Sequence, residues 1–240
     1  MRAIVTFHSI DENDSVLSYP PTLFRKFVEA LLASDLPVCD LDTLLRNDNQ
    51  HGVALTFDDG MHSIFEHALP VIRAHAMPAH LFLATAAVGR DNRWPGQPAQ
   101  APRLDMLNWN QVEALHAAGV RIESHTHNHP DLRALDDAAI DTECDMADRL
   151  IEQRLGRRPA YFAYPYGYHN ARVRDCLRPR YRASVTTRLN VLNVRDDSAD
   201  LPRLDSYYLR APWLYRRLDA PVARAYLACR GVLRRLRGSE

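Results

Sequence analysis

Two short segments concentrate the groups able to do chemistry. Thr56-Phe57-Asp58-Asp59-Gly60 sets two adjacent carboxylates at the end of an apolar run, residues 53–57. Consecutive strand residues point to opposite faces, so both carboxylates share one site only where the chain turns. Gly60 permits such a turn. Ser124-His125-Thr126-His127-Asn128-His129-Pro130 also follows an apolar run, residues 120–124. His125 and His129 stand four apart, the spacing at which one helical turn aims both rings at a single point. His127 would face elsewhere on that turn. Two histidines plus a carboxylate make a three-ligand site with an open position, the pattern of catalytic zinc. Asp58 or Asp59 supplies the third ligand. Alone, the first segment reads as a solvated turn and the second as an incidental histidine pair; together, at two strand ends, they point to a metal.

The elements that must position these groups alternate along the chain. Strands are expected at residues 3–7, 37–40, 53–57, 79–85, 120–124, 161–164 and 182–186, and helices at 22–33, 62–75, 109–118, 136–155 and 171–177. Apolar runs alternating with amphipathic segments imply α/β architecture with parallel strands and crossover helices. The pattern suits a barrel or an open doubly wound sheet, and in both the carboxyl ends of the strands hold ligands. Residues 89–108, with Trp94, Pro95, Pro98 and Pro102, break the rhythm as a long irregular loop, the kind that serves as a lid or is disordered.

Composition bounds the rest. The 240 residues are 46% hydrophobic and 25% charged, which fits a globular chain and excludes a disordered one. No run approaches the roughly 18 apolar residues of a spanning helix. Thirty basic residues balance thirty acidic ones, which argues against a generally nucleic-acid-binding protein. Lys26 is the only lysine. Cys39, Cys144, Cys176 and Cys229 form no CxxC pair, and the chain enters its first strand with no leader-like segment. The expectation is reduced thiols in a cytoplasmic protein.

The segments together resemble the polysaccharide deacetylase family, the NodB-homology carbohydrate esterases. TFDDG at residues 56–60 is followed about 65 positions later by His125-Thr126-x-x-His129-Pro130. Phe162-Ala163-Tyr164-Pro165-Tyr166-Gly167 is similar to the strand and loop that wall the family's site, and the likeness runs from about residue 3 to 210. It implies a distorted (β/α) barrel of about seven parallel strands. The implied activity is metal-dependent hydrolysis of N-acetyl groups on a sugar, in a polysaccharide or a lipid-linked glycan precursor. Carried over, the resemblance makes Asp59, His125 and His129 the metal ligands, Asp58 the general base, and the backbone N–H of Tyr166 part of an oxyanion hole. The ligand set suits zinc and also accepts cobalt or nickel. Tyr164, Tyr166, Tyr168 and Trp94 offer flat faces to a sugar ring, or are ordinary loop packing; Tyr164, Pro165, Tyr168 and Trp94 are the candidate substrate contacts.

Two departures stand out. No histidine follows His169 to act as the late-strand acid, but His8 ends the first strand. That order resembles the permuted poly-N-acetylglucosamine deacetylase branch and makes His8 the candidate acid. Ala163 stands where many members carry an arginine that orients the base, and Arg203 is the candidate replacement. The same departures admit a glycan-binding barrel without catalysis. The barrel also admits hydrolysis of a non-sugar amide or cyclic imide. His62, three residues past Asp59, is the remaining histidine of interest.

Residues 216–240 are expected as a basic amphipathic helix beyond a catalytic domain of residues 1–215. From Arg210 onward eight arginines face only Asp219 and Glu240, so zero net charge is a cancellation between an acidic body and a basic end. Val222, Tyr226, Cys229, Leu233 and Leu236 form one helical stripe, with Arg224, Arg230, Arg234, Arg235 and Arg237 elsewhere. Either that stripe packs on the barrel, or it lies on an anionic membrane surface, peripheral to the inner membrane face.

Overall fold

The computed structural model describes residues 1–46, 51–97 and 100–236, so Pro98 of the predicted loop and Arg237 of the predicted helix lie outside the described residues. Among these, seven strands pair in parallel and close on themselves: β1 (Arg2–Phe7), β2 (Gly52–Asp59), β3 (Ala79–Leu83), β4 (Val120–Ser124), β5 (Tyr161–Ala163), β6 (Ala183–Leu189) and β7 (Leu201–Asp205). The β7–β1 pairing, Val5 opposite Leu204 and Thr6 opposite Asp205, completes the ring. Closure leaves no sheet edge exposed and decides for the barrel over the open sheet.

Helices surround it: α1 (Pro21–Leu32), α2 (Leu41–Leu44), α3 (Leu69–Ala74), α4 (Trp109–Ala117), α5 (Asp137–Leu155), α6 (Ala171–Leu177), α7 (Pro212–Tyr215) and α8 (Pro221–Leu236). The cues that start and stop them are local. Asn108 and Gln111 form a reciprocal capping box on α4. Asp136 accepts from the Ala139 N–H at the start of α5, and Gly156, at φ 70°, ends it.

Three expectations are corrected. Residues 37–40 are not a barrel strand: Val38 makes only an isolated bridge to Val53, and Asp40 caps α2 by accepting from Thr43. The predicted helix over 62–75 is a π-helical turn, Ile64–Ala68, followed by α3. The seventh strand is instead β7. Its apolar pattern is masked by Pro202, Arg203 and Asp205, and proline argues against a central strand.

Alternation along the strands sorts the core. Ala3, Val5, Phe7, Val53, Leu55, Phe57, Leu81 and Leu83 face outward into the helices. Ile4, Ala54, Phe82, Ala163, Val185 and Leu201 fill the barrel interior. Continuing the inward register toward the carboxyl ends brings Thr6 and His8 on β1's side, Asp58 on β2 and Arg203 on β7 to the same rim.

Candidate active site

Asp58 keeps the inward register of β2, and Asp59 departs from it. Asp59 adopts φ 69° and Gly60 φ 99°, so the chain turns at the second aspartate and both carboxylates face one rim. Asp58 and Asp59 are 2% and 4% exposed. The Gly60 N–H donates back to the Asp58 carbonyl at 2.8 Å. A Cβ added at Gly60 would lie 2.5 Å from Leu83 Cδ1, besides the strain of its positive φ. Gly60→Ala is therefore expected to cost about 1–3 kcal/mol of stability, read by urea unfolding; an unchanged midpoint would refute this account of the turn.

The histidine segment is not the helical turn its spacing suggested. Thr126 and His129 adopt φ 66° and 57°, and the Thr126 hydroxyl accepts the His129 N–H at 3.0 Å. Glu143 of α5 clamps the loop from outside, accepting from the amides of His127 (3.1 Å) and Asn128 (2.8 Å). This bend brings His125 Nε2 to 3.2 Å and His129 Nε2 to 3.4 Å from Asp59 Oδ1. His127 faces away, with Nδ1 2.8 Å from the Thr85 hydroxyl.

The donor set fits a divalent ion. One ligand atom each from Asp59, His125 and His129 lie within 4.8 Å of one another, all from buried residues. His125 Nδ1–H donates to the Ala163 carbonyl at 2.7 Å, which fixes the tautomer and leaves the Nε2 lone pair toward Asp59. A lone pair and a carboxylate oxygen at 3.2 Å repel unless a cation or proton lies between them. Burial raises the Asp59 carboxyl, but the same contact in its proton-bridged form, with hydrogen bonds from both histidines, outweighs it and holds Asp59 well below the usual range. Burial lowers both histidines; Asp59 and Asp58 lift His125 above its ordinary value, whereas His129 stays below.

Asp58 is held from β7, two strands away around the ring. Arg203 donates Nη1 to Oδ1 at 2.7 Å and Nη2 to Oδ2 at 2.6 Å, a paired contact between two fully buried charges. The guanidinium is itself fixed by the Thr6 hydroxyl (3.0 Å) and the Thr186 carbonyl (2.9 Å). Burial alone would raise Asp58; the charge and hydrogen bonds of Arg203 override it and keep the carboxyl below its usual range. His8 Nε2 lies 3.9 Å from Asp58 Oδ2, with its side chain 17% exposed.

The candidate substrate residues separate. Tyr166, at φ 59°, packs its ring 4.6 Å from His129, and Trp94 of the long loop lies 4.3 Å from His129 on the ring-centroid measure. Pro165 is buried beneath that turn. Tyr168 is 37% exposed but carries the Arg133 guanidinium 4.0 Å over its ring. Tyr164 is not a sugar platform: it is 1% exposed, stacks on His169, and donates its hydroxyl to the Ala199 carbonyl at 2.8 Å. The reason is strand alternation, which turns Phe162 and Tyr164 outward and Ala163 inward. His62 is also outside the site, pairing with Gln111 and Glu66. Sequence reasoning missed Ala163's carbonyl, Thr6, Thr186 and Glu143, because each acts through backbone or a partner remote in sequence.

A closed parallel barrel with an Asp–His–His cluster and a second buried carboxylate at its carboxyl rim has the architecture of the (β/α)-barrel enzymes, whose sites lie at that end. The polysaccharide deacetylase family profile matches residues 46–179, and the chain belongs to that family. The chain is 24% identical over 191 residues to Bacillus subtilis YxkH, whose name places it in the same family, covering 77% of this chain and 63% of that protein. It is 25% identical over 130 residues to the poly-β-1,6-N-acetyl-D-glucosamine N-deacetylase of Staphylococcus aureus, covering 50% of this chain and 42% of that one. This chain thus spans less than two thirds of either relative. Among solved structures, IcaB from Ammonifex degensii superposes with a TM-score of 0.73 at 20% identity, covering 92% of this chain and 96% of that one. The Streptococcus pyogenes deacetylase PplD, solved with acetate, gives 0.72 at 20% identity over 85% and 91%. These likenesses show the fold.

Proposed function

We propose that the chain is a metal-dependent N-deacetylase of N-acetylhexosamine residues in a glycan or a lipid-linked glycan precursor. The observation that carries this reading is a buried carboxylate, Asp58, clamped through both oxygens by Arg203 next to the Asp59–His125–His129 cluster. That pairing separates two aspartates into two roles, one for a metal and one for a proton. A divalent ion held by the cluster, zinc by the donor chemistry and cobalt or nickel by the same criterion, supplies a Lewis acid for an amide carbonyl and acidifies water.

The protein's own residues do the rest. Asp58, ionised and fixed by Arg203, accepts the proton of the attacking water as the new C–O bond forms. The amide of Tyr166 is the candidate donor to the developing oxyanion, and Trp94 with Tyr166 screens one side of His129 from water. An amine leaves poorly unless protonated. His8, beside Asp58 and partly exposed, delivers that proton as the C–N bond breaks, yielding acetate and a free amino sugar.

Two observations support catalysis over a non-catalytic barrel: Arg203 holds both oxygens of Asp58 although Ala163 cannot, and His8 Nε2 lies 3.9 Å from Asp58 Oδ2. The named activity of the staphylococcal relative supports β-1,6-linked N-acetylglucosamine as the first substrate to try. The test is acetate release from oligomers of N-acetylhexosamines of different linkage, from a lipid-linked glycan, and from non-sugar amides and cyclic imides. Release from a glycan is expected; release only from non-sugar amides would overturn the sugar reading. A reducing, cytoplasmic location is proposed with it, supported by four free thiols, of which Cys144 is buried.

A further inference from the structure

Of the two readings of the basic C-terminal helix, docking through its apolar stripe is not the one observed: the helix docks by the opposite face. Ala223, Leu227 and Gly231, four residues apart, are the buried positions of α8. Gly231 backs directly onto the Leu189 carbonyl at the end of β6, where no side chain would fit. Small residues thus let the helix sit close to the barrel. The longer apolar stripe is left facing solvent: Val222 is 63% exposed, Leu233 45% and Leu236 78%. Tyr226 joins it, in edge contact with Trp213 of α7 at 5.3 Å, and Trp213 is itself half exposed.

Charge is arranged around this stripe. At about 100° per residue, Arg224 and Arg230 fall on the two edges between the docked face and the exposed one. Arg230 and Arg234 lie over the Tyr208 ring at 5.1 and 5.7 Å, while Arg216 and Arg217 flank the cleft beside Trp213 and Val222. An apolar stripe with an exposed tryptophan, bordered by arginines, matches a helix lying in the plane of a lipid interface. No described helix is long and apolar enough to cross a membrane, so the contact would be peripheral. A second copy is a poorer occupant. Two-fold pairing would bring both sets of arginines together, with Asp219 the only described acid in α8 or the turn before it to offset them.

We propose that α8 and Trp213 form a docking face for a membrane surface rich in anionic lipid. The proposal goes beyond the reaction at Asp58 and stands independently of it. It is tested with the full chain by co-sedimentation with vesicles of phosphatidylcholine alone, and of phosphatidylcholine with one third phosphatidylglycerol. Binding is expected to the anionic vesicles only, and to weaken as salt is raised. Leu233→Glu and Leu236→Glu, both at exposed positions, should each lower partitioning about tenfold or more with unchanged thermal unfolding. Arg224→Gln should lower it about fivefold, the effect of one arginine near an anionic surface. Equal binding to both vesicles, or binding to neither, would overturn the proposal. So would a lipid-free dimer that Leu233→Glu dissociates in the ultracentrifuge, which would make the face an interface between copies. Acetate release from a soluble oligomer, measured on the same variants, should not change and reads the reaction separately.

Discussion

Asp58→Asn is expected to cut acetate release by about 10²–10⁴-fold, the range for loss of a positioned general base, while bound metal stays at the wild-type level. The substitution keeps the shape of the side chain. It removes the charge, the capacity to accept a proton and one of the two acceptors that Arg203 uses, so activity is compared at a temperature where the variant is folded. Arg203 retains its bonds to the Thr6 hydroxyl and the Thr186 carbonyl, so the guanidinium is not set loose. Asp59→Asn should behave differently. Asp59 Oδ1 is the atom both histidines approach, at 3.2 and 3.4 Å, so weakening it should lower metal content and activity together. Stripping the wild-type protein with a chelator should likewise stop acetate release, and added zinc should restore it. Metal analysis beside kcat separates these outcomes. Normal turnover by Asp58→Asn would remove the base from the mechanism, and parallel loss of metal in both variants would mean that the two aspartates share one role.

How far the sequence foretold this site depends on the reach of each interaction. Asp58, Asp59, His125 and His129 were legible because two dense clusters of titratable groups sit at the ends of apolar runs. Their convergence needed only parallel strands. The conformation that achieves it was not legible, since spacing of four pointed to a helical turn and the chain instead uses left-handed residues at Asp59, Thr126 and His129. A β-branched threonine at positive φ is uncommon, and the hydrogen bond from His129 to its hydroxyl is what holds it there. Tyr164 went astray for a simpler reason. A tyrosine in a motif beside a site looks like a ligand contact until the register of β5 assigns it to the outside. The stripe on α8 left two readings open for a related reason: apolar periodicity identifies a face but not what covers it, and the helix packs through Ala223, Leu227 and Gly231 on the opposite side.

Arg203 carries the second large effect, this time on stability as well as rate. Arg203→Ala should leave the buried Asp58 carboxylate without its counter-charge, at a cost of about 3–5 kcal/mol. For a chain of this size that lowers the melting temperature by about 6–20 °C. The pair bridges β7 and β2 across the barrel interior, and Arg203 is also tied to Thr6 of β1 and Thr186 of β6, so the loss should be cooperative rather than local. Stability alone would not distinguish a positioning residue from a structural one. The double variant Arg203→Met with Asp58→Asn does, because it removes both charges and replaces the guanidinium with an apolar chain next to Phe82, 5.8 Å from the present guanidinium carbon. It should regain most of the lost stability and none of the activity. Arg203→Lys completes the comparison: a single ammonium keeps the charge but cannot engage both carboxylate oxygens, so it should fold near wild-type stability and still turn over slowly, with kcat falling more than KM rises. Full activity in Arg203→Lys would show that charge suffices and that the paired geometry at Asp58 is not what the base requires.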